Sequence, residues 1–169
     1  MTPRSFAVVL GSTLATIALL SAPAHAANGA TPGNRVITLT GSDATLGIAD
    51  LNAPGPTPGD VRTLSLRLTN AKGQPAGRVE IVQTLTHQGA GSGTAVKTVV
   101  LNLPRGIITA TGLTEFSDLT DRQARPKDET EHIAITGGTG PYRGATGEID
   151  ITVLPDFASR WTISLNSPS

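Results

Sequence analysis

The sequence predicts an all-β domain of about eight short strands. Three observations carry this. Apolar and polar residues alternate over short runs, most plainly from Val61 to Thr69, where Leu64, Leu66 and Leu68 interleave with Thr63, Ser65, Arg67 and Thr69. That is the period of a strand with one buried face. The runs are separated by turn residues drawn from 19 Gly and 12 Pro, which supply the positive φ angles and ladder breaks that reversals need. Beyond residue 26 no apolar stripe of helical period has a useful length, so a helix would have no face to bury. Strands of this number make a sandwich or a barrel, and the pattern alone leaves both open.

Residues 1–26 stand apart. Arg4 gives a positive start, Phe6 to Leu20 an apolar stretch, and Ala24, His25 and Ala26 a small-x-small cleavage site. A signal peptide cleaved after Ala26 is expected, and with it a secreted protein that keeps no membrane contact. The apolar stretch is short for a membrane span. Residues 27–34 read as a flexible lead-in and 35–169 as a single domain long enough to bury a core. Without Arg4, 12 basic residues face 13 acidic ones. This near-neutral balance argues against nucleic acid or an anionic membrane as partner, since both require clustered Lys and Arg. The chain has no Cys, which excludes a thiol nucleophile, a thiolate metal site and disulfides.

The elements follow in order. Arg35 to Thr40 is a first strand, and Leu51 to Gly59, with three prolines, is a loop that reads as a lid or a spacer. Val61 to Thr69 is the second strand, followed by a hairpin turn at Asn70 to Gly73. Arg78 to His87 and Thr94 to Leu103 are the next two, joined by a Gly-Ser turn. Ile107 to Thr111 begins another, which Thr114 to Leu119 extends beyond Gly112. The densely charged stretch from Asp121 to Glu131 reads as a solvated loop. Arg160 to Asn166 closes the chain, with Trp161, Ile163 and Leu165 on one face. Trp161 and Tyr142 read as core packing.

Thr130 to Val153 is the stretch around which the chain is organised. His132 to Thr136 and Glu148 to Val153 are strand-like, and the reversal between them holds Gly137, Gly138, Gly140, Pro141, Gly144 and Gly147. A strand follows these glycines where a phosphate-cradling loop would need a helix N-terminus. Glu129, Thr130, Ile133 to Gly138, Gly140, Tyr142, Gly144, Ala145 and Gly147 together resemble the hairpin of the allene oxide cyclase and dirigent-protein group. The resemblance implies an eight-stranded antiparallel β-barrel of the allene oxide cyclase/dirigent type.

Generic catalytic patterns are absent. The three histidines, His25, His87 and His132, lack any H-x-x-x-H spacing, and no serine sits in a G-x-S-x-G elbow, so neither a metal site nor a triad is expected. The resemblance then supplies the candidates residue by residue. The family's first strand lays Thr38 and Thr40 on its pocket Glu and Asn. A second segment lays Leu66 on a pocket Asn, and counting back from His87 lays Val82 on a pocket Cys. The last segment lays Arg105 on a Tyr. None of these keeps the family's chemical residue, which points away from plant-type allene oxide cyclisation. With Val82 taken as lumenal, a period of two puts Arg78, Glu80, Thr84 and Thr86 on the same face. Glu80, paired by Arg78 or Arg105, then becomes the candidate for polarising a carbonyl or moving a proton. The alternative is a flipped or bulged strand that leaves Glu80 in water.

The expectation is an exported, dirigent- or cyclase-like barrel that binds an apolar small molecule in its lumen and steers its cyclisation or coupling without a cofactor. The candidate catalytic residues are Glu80 and Arg105, and the candidate ligand contacts are Thr38, Thr40, Leu66, Arg78 and Val82. The competing reading is a non-catalytic carrier or structural barrel. The resemblance also implies homo-oligomers. A lumen of a few hundred Å³ holding both Glu80 and Arg105 would favour the first reading.

Overall fold

The computed structural model describes residues 35–89, 92–116 and 129–166. The signal peptide and lead-in expected over 1–34, and most of the charged stretch beginning at Asp121, lie outside these residues. The described chain forms β1 (Arg35–Ala49), β2 (Val61–Thr69), β3 (Pro75–Gly89), β4 (Ser92–Leu103), β5 (Gly106–Phe116), β6 (Thr130–Gly138), β7 (Thr146–Val153) and β8 (Ser159–Asn166). A 3-10 turn, Gly140–Tyr142, joins β6 to β7. Neighbours in sequence pair antiparallel and β8 returns to β1, closing the barrel. Closure leaves no free sheet edge for another chain to extend.

Local chemistry explains where the strands run on. β1 continues past Thr40 because a register shift between Ser42 and Thr45, with Asp43 at φ 53°, inserts a bulge against β2. A bulge bends a strand without ending it. β5 passes straight through Gly112. A Cβ there would stand 2.6 Å from Ile133 Cγ2, so this glycine makes room for a neighbour and does not break the strand.

Register also decides which side chains enter the barrel. On β3 the buried residues are Val79, Ile81, Gln83 and Leu85, and those between them are exposed. The expected lumenal face of this strand is therefore corrected: Arg78, Glu80, Val82, Thr84 and Thr86 point outward. Three apolar residues in the odd phase outweigh Val82 in the even one, and the outward phase spares Arg78 and Glu80 the cost of desolvation. A register shift between Leu85 and His87 also upsets any count of two taken back from His87.

The barrel has two unlike ends. Around the starts of β3, β5 and β7 the core is wholly apolar, with Leu68, Val79, Leu101, Ile108, Ile149 and Ile163 at 1% exposure or less. The 3-10 turn folds in here and buries Tyr142 in that core. Thr139 N donates to Ile107 O at 2.8 Å, and Ile107 N to Thr139 Oγ1 at 3.0 Å. Two glycines permit the approach: Gly140 adopts φ 59°, and a Cβ on it would meet Arg105 O at 2.6 Å, while one on Gly138 would meet Ile107 O at the same distance. At the opposite end Asp60 ties down the proline loop. Its carboxylate accepts from Leu51 N at 3.0 Å, Thr57 N at 2.7 Å and Thr57 Oγ1 at 3.3 Å. The backbone hydrogen bonds from Leu51 and Thr57 hold its pKa below the usual carboxylate value, against the opposing effect of burial.

Two predictions follow from the ends of the barrel. Gly140→Ala combines a left-handed φ with a backbone clash and is expected to cost about 1–3 kcal/mol in urea unfolding, and an unchanged midpoint would contradict it. Because the folded-state pKa of Asp60 is depressed, its contribution to stability is present above the ordinary value of 3.8 and is lost as pH falls through the lower folded value. Asp60→Asn is expected to lower stability at pH 7 while flattening the acid limb below pH 3.8, read from melting temperatures across pH.

Candidate functional site

At the end where β2, β4, β6 and β8 begin, the apolar core gives way to a polar set inside the barrel. Arg62, Gln83, Lys97, Thr114 and Glu131 are all less than a tenth exposed there. Each occupies the inward phase of its strand. Arg62 precedes Leu64, Leu66 and Leu68 on β2; Gln83 lies between Ile81 and Leu85 on β3; Lys97 lies between Ala95 and Val99 on β4; Thr114 precedes Phe116 on β5; Glu131 precedes Ile133 and Ile135 on β6.

Lys97 Nζ donates to Glu131 Oε2 in a close ion pair, with the side chains only 6% and 3% exposed. The amine reaches across β5 to make it. Its register partner on β5 is Gly112, which has no side chain to stand between the two. Both charges are out of water. Desolvation of the pair offsets much of its Coulomb attraction, but removing one partner takes away a charge that compensates the other.

These residues line a cavity of about 110 Å³ that opens at this end. Its apolar walls are chiefly Leu64, Leu66, Ile81, Phe116, Ile151 and Trp161. Trp161, the one tryptophan of the chain, is 1% exposed and its indole N–H donates to Ser159 Oγ at 2.8 Å. At the rim, the turn between β7 and β8 carries Asp156 and Phe157, both at φ 58°, held by Leu154 N to Ala158 O at 2.9 Å. Phe157 borders the cavity while remaining 54% exposed. The proline loop of residues 51–59 contributes no lining residue.

The sequence candidates fall differently. Leu66 lines the cavity. Glu80 lies on the outer wall, paired with Arg78 Nε at 3.6 Å and accepting from Ser65 Oγ at 3.0 Å. That exposed pair satisfies itself in water, where it contributes little. Arg105 is exposed in the turn between β4 and β5, at the far end of the barrel. Thr38 is exposed and Thr40 half-buried, because Ile37 and Leu39 take the inward phase of β1. Val82 is 44% exposed. The expected lumen of a few hundred Å³ containing Glu80 and Arg105 is thus replaced by a smaller cavity holding Lys97 and Glu131. Glu131, read from sequence as part of a solvated loop, is the second residue of β6.

His132 lies on the outer wall beside Glu131. Its Nδ1 stands 2.7 Å from Asp150 Oδ1 and 3.2 Å from Glu148 Oε1. The hydrogen bond to Asp150, with that to Glu148, raises its pKa. These three groups, two exposed and Asp150 half-buried, satisfy one another on the outer wall.

A closed eight-stranded antiparallel barrel with one packed end, one open end and a buried ion pair beneath the opening is the class that fold and site define. The chain belongs to the family of the allene oxide cyclase barrel like domain, which matches residues 37–163. A comparison of the sequence with curated proteins finds no match. Among solved structures, pyocyanin demethylase superposes with a TM-score of 0.64 at 22% identity, covering 78% of this chain and 99% of its own. The Diels-Alderase AbmU from Streptomyces koyangensis gives 0.59 at 15% identity, covering 83% of this chain and 71% of its own. AbnU, described as an exo-specific intermolecular Diels-Alderase, gives 0.59 at 19% identity, with coverage of 82% and 100%. At these identities the likeness is one of fold.

The ion pair yields a quantitative expectation. Lys97→Met alone should cost about 3–5 kcal/mol, because it removes the ammonium that compensates the buried Glu131 carboxylate, and the double change Lys97→Met with Glu131→Leu should recover most of it. A double-mutant cycle in urea measures the coupling, and a value under about 0.5 kcal/mol would contradict a mutually dependent pair.

Proposed function

We propose that this chain is an exported small-molecule barrel that draws the reactive part of an apolar ligand into its open end and steers that ligand's cyclisation or coupling. The observation that carries the reading is the buried Lys97–Glu131 pair in a cavity whose walls are mostly apolar but also hold Arg62, Gln83 and Thr114. An ammonium in such a setting hydrogen-bonds a ligand oxygen and stabilises negative charge that builds on it, more strongly than it would in water. Glu131 orients the amine, and Thr114 and Gln83 offer further polar contacts on the same wall. The apolar walls hold the ligand's chain folded, so that one ring closure is favoured over the open conformers. Two structurally similar barrels, both described as Diels-Alderases, are in keeping with cyclisation as the reaction class. Folding and charge stabilisation are supplied by the protein itself, so the proposal invokes no cofactor. The N-terminal charge, apolar stretch and Ala24-His25-Ala26 site support export.

One observation favours a second reading, a non-catalytic carrier or structural barrel. The cavity of about 110 Å³ is smaller than the roughly 300–1,000 Å³ of sites that enclose a whole drug-sized ligand. It accommodates a narrow chain or part of a ring, with the remainder of the ligand at the rim beside Phe157.

Trp161 provides the test. In the mature chain, Ala27 to Ser169, a ligand that fills the cavity is expected to quench Trp161 fluorescence and raise the melting temperature. Ile81→Trp, which fills the lumen, should weaken binding by at least about tenfold. Glu80→Ala and Arg105→Ala should bind as the wild type does. Native mass spectrometry against an extract of the producing cells identifies the ligand, and conversion of that ligand separates enzyme from carrier. Loss of binding in Glu80→Ala, with none in Ile81→Trp, would contradict a site in the lumen.

A further inference from the structure

Lys97 has a chemistry that hydrogen bonding alone does not use. It is a primary amine, 5% exposed, on the wall of an apolar cavity and in direct contact with a carboxylate. The chain's other lysines are Lys72, exposed in the turn between β2 and β3, and Lys127, outside the described residues. A lysine amine shut away from water condenses with aldehydes and ketones once its proton is taken up, and the Glu131 carboxylate is in contact to take it. From this juxtaposition of Lys97, Glu131 and the apolar opening, we propose that the barrel captures carbonyl ligands covalently, as an iminium on Lys97 with Glu131 as counter-ion. The class of ligand is an apolar aldehyde or ketone. The inference rests on the reading of the cavity as a ligand site and deepens it.

The step balances without any co-reactant. The proton of the Lys97 ammonium passes to Glu131 Oε2, freeing the nitrogen lone pair. That pair forms a C–N bond to the carbonyl carbon while the C=O π electrons move to oxygen, and proton transfer from nitrogen to oxygen gives a neutral carbinolamine. Glu131 then returns its proton to the hydroxyl, the C–O bond breaks, and water leaves. The nitrogen lone pair completes the C=N bond. The product is a cationic iminium beside a carboxylate, so the ion pair present before reaction is present after it. No new charge is buried at any point, which matters in an apolar cavity. Exclusion of bulk water by Leu66, Ile81, Phe116 and Trp161 slows hydrolysis back to the amine. Where the carbonyl is conjugated to a double bond, the iminium withdraws electrons from it and activates it toward the cyclisation proposed above.

The experiment uses the mature protein with hexanal as probe and hexan-1-ol as the control that cannot condense. Sodium cyanoborohydride traps any iminium as a stable secondary amine. Intact mass and peptide mapping then locate the label, and Trp161 fluorescence follows occupancy of the cavity in parallel. The expected result is quenching by both probes, with hexanal labelling Lys97 at least about tenfold faster than exposed Lys72. Peptide mapping of the wild type makes the result independent of whether a Lys97 variant folds. If both probes quench Trp161 but the label falls on Lys72 and the amino terminus and not on Lys97, covalent capture is overturned and the ligand-binding cavity stands. If neither probe quenches and Lys97 remains unlabelled, both readings fall.

Discussion

Everything distinctive about this barrel depends on one constraint: a lysine and a glutamate share a place from which water is excluded. Lys97 and Glu131 come from strands separated by β5, so the contact requires β5 to pair with both of them in the observed register. A slip of one residue on either strand would turn its charge to the outer wall and an alternate residue inward. The pair thus depends on the register that the apolar alternation sets. It also divides the lumen, with a dry apolar core on one side and a polar-floored opening on the other.

The division has a counterpart in how the two ends are built. At the packed end glycines let backbone approach backbone, and Tyr142 folds in over Ile108 and its neighbours. At the open end the elements are held by polar contacts instead. Asp60 gathers Leu51 and Thr57, and the turn carrying Phe157 is closed by backbone hydrogen bonds. A rigid floor and a polar rim are the parts that a ligand site on a stiff scaffold requires. The family places the scaffold, and the neighbouring solved barrels share it at 15–22% identity.

Much of the scaffold was legible in the sequence. The alternation in Val61 to Thr69, the turn glycines from Gly137 to Gly147 and the matched hairpin lead to a closed barrel, and the barrel is what forms. Of the pocket positions carried by the resemblance, Leu66 lines the cavity, and the charged part of the site was legible elsewhere. Laying family pocket residues onto Thr38, Thr40, Val82 and Arg105 followed the scaffold glycines across a bulge and across strands whose apolar phase disagreed with the alignment. The informative signal lay in that phase itself. Lys97 interrupts Ala95, Val99, Leu101 and Leu103; Arg62 interrupts the run to Leu68; Gln83 interrupts Val79, Ile81 and Leu85; Glu131 interrupts the run to Ile135. Each is a polar residue in a strand's buried phase, and all four line the same cavity. Charge density around Glu131 hid the last of them, since a carboxylate beside a charged loop reads as solvated until its strand partner is known.

The central claim is that Lys97 is an ammonium shut away from water by its contact with Glu131. Proton–nitrogen correlation of the lysine side chains, with Nζ assigned, measures this directly, because hydrogen exchange of a buried, hydrogen-bonded ammonium is slowed. The account predicts a sharp, slowly exchanging Lys97 resonance at neutral pH that Glu131→Gln broadens or shifts, while exposed Lys72 exchanges rapidly throughout. A Lys97 ammonium that exchanges as fast as Lys72 would place the amine in water and contradict the account.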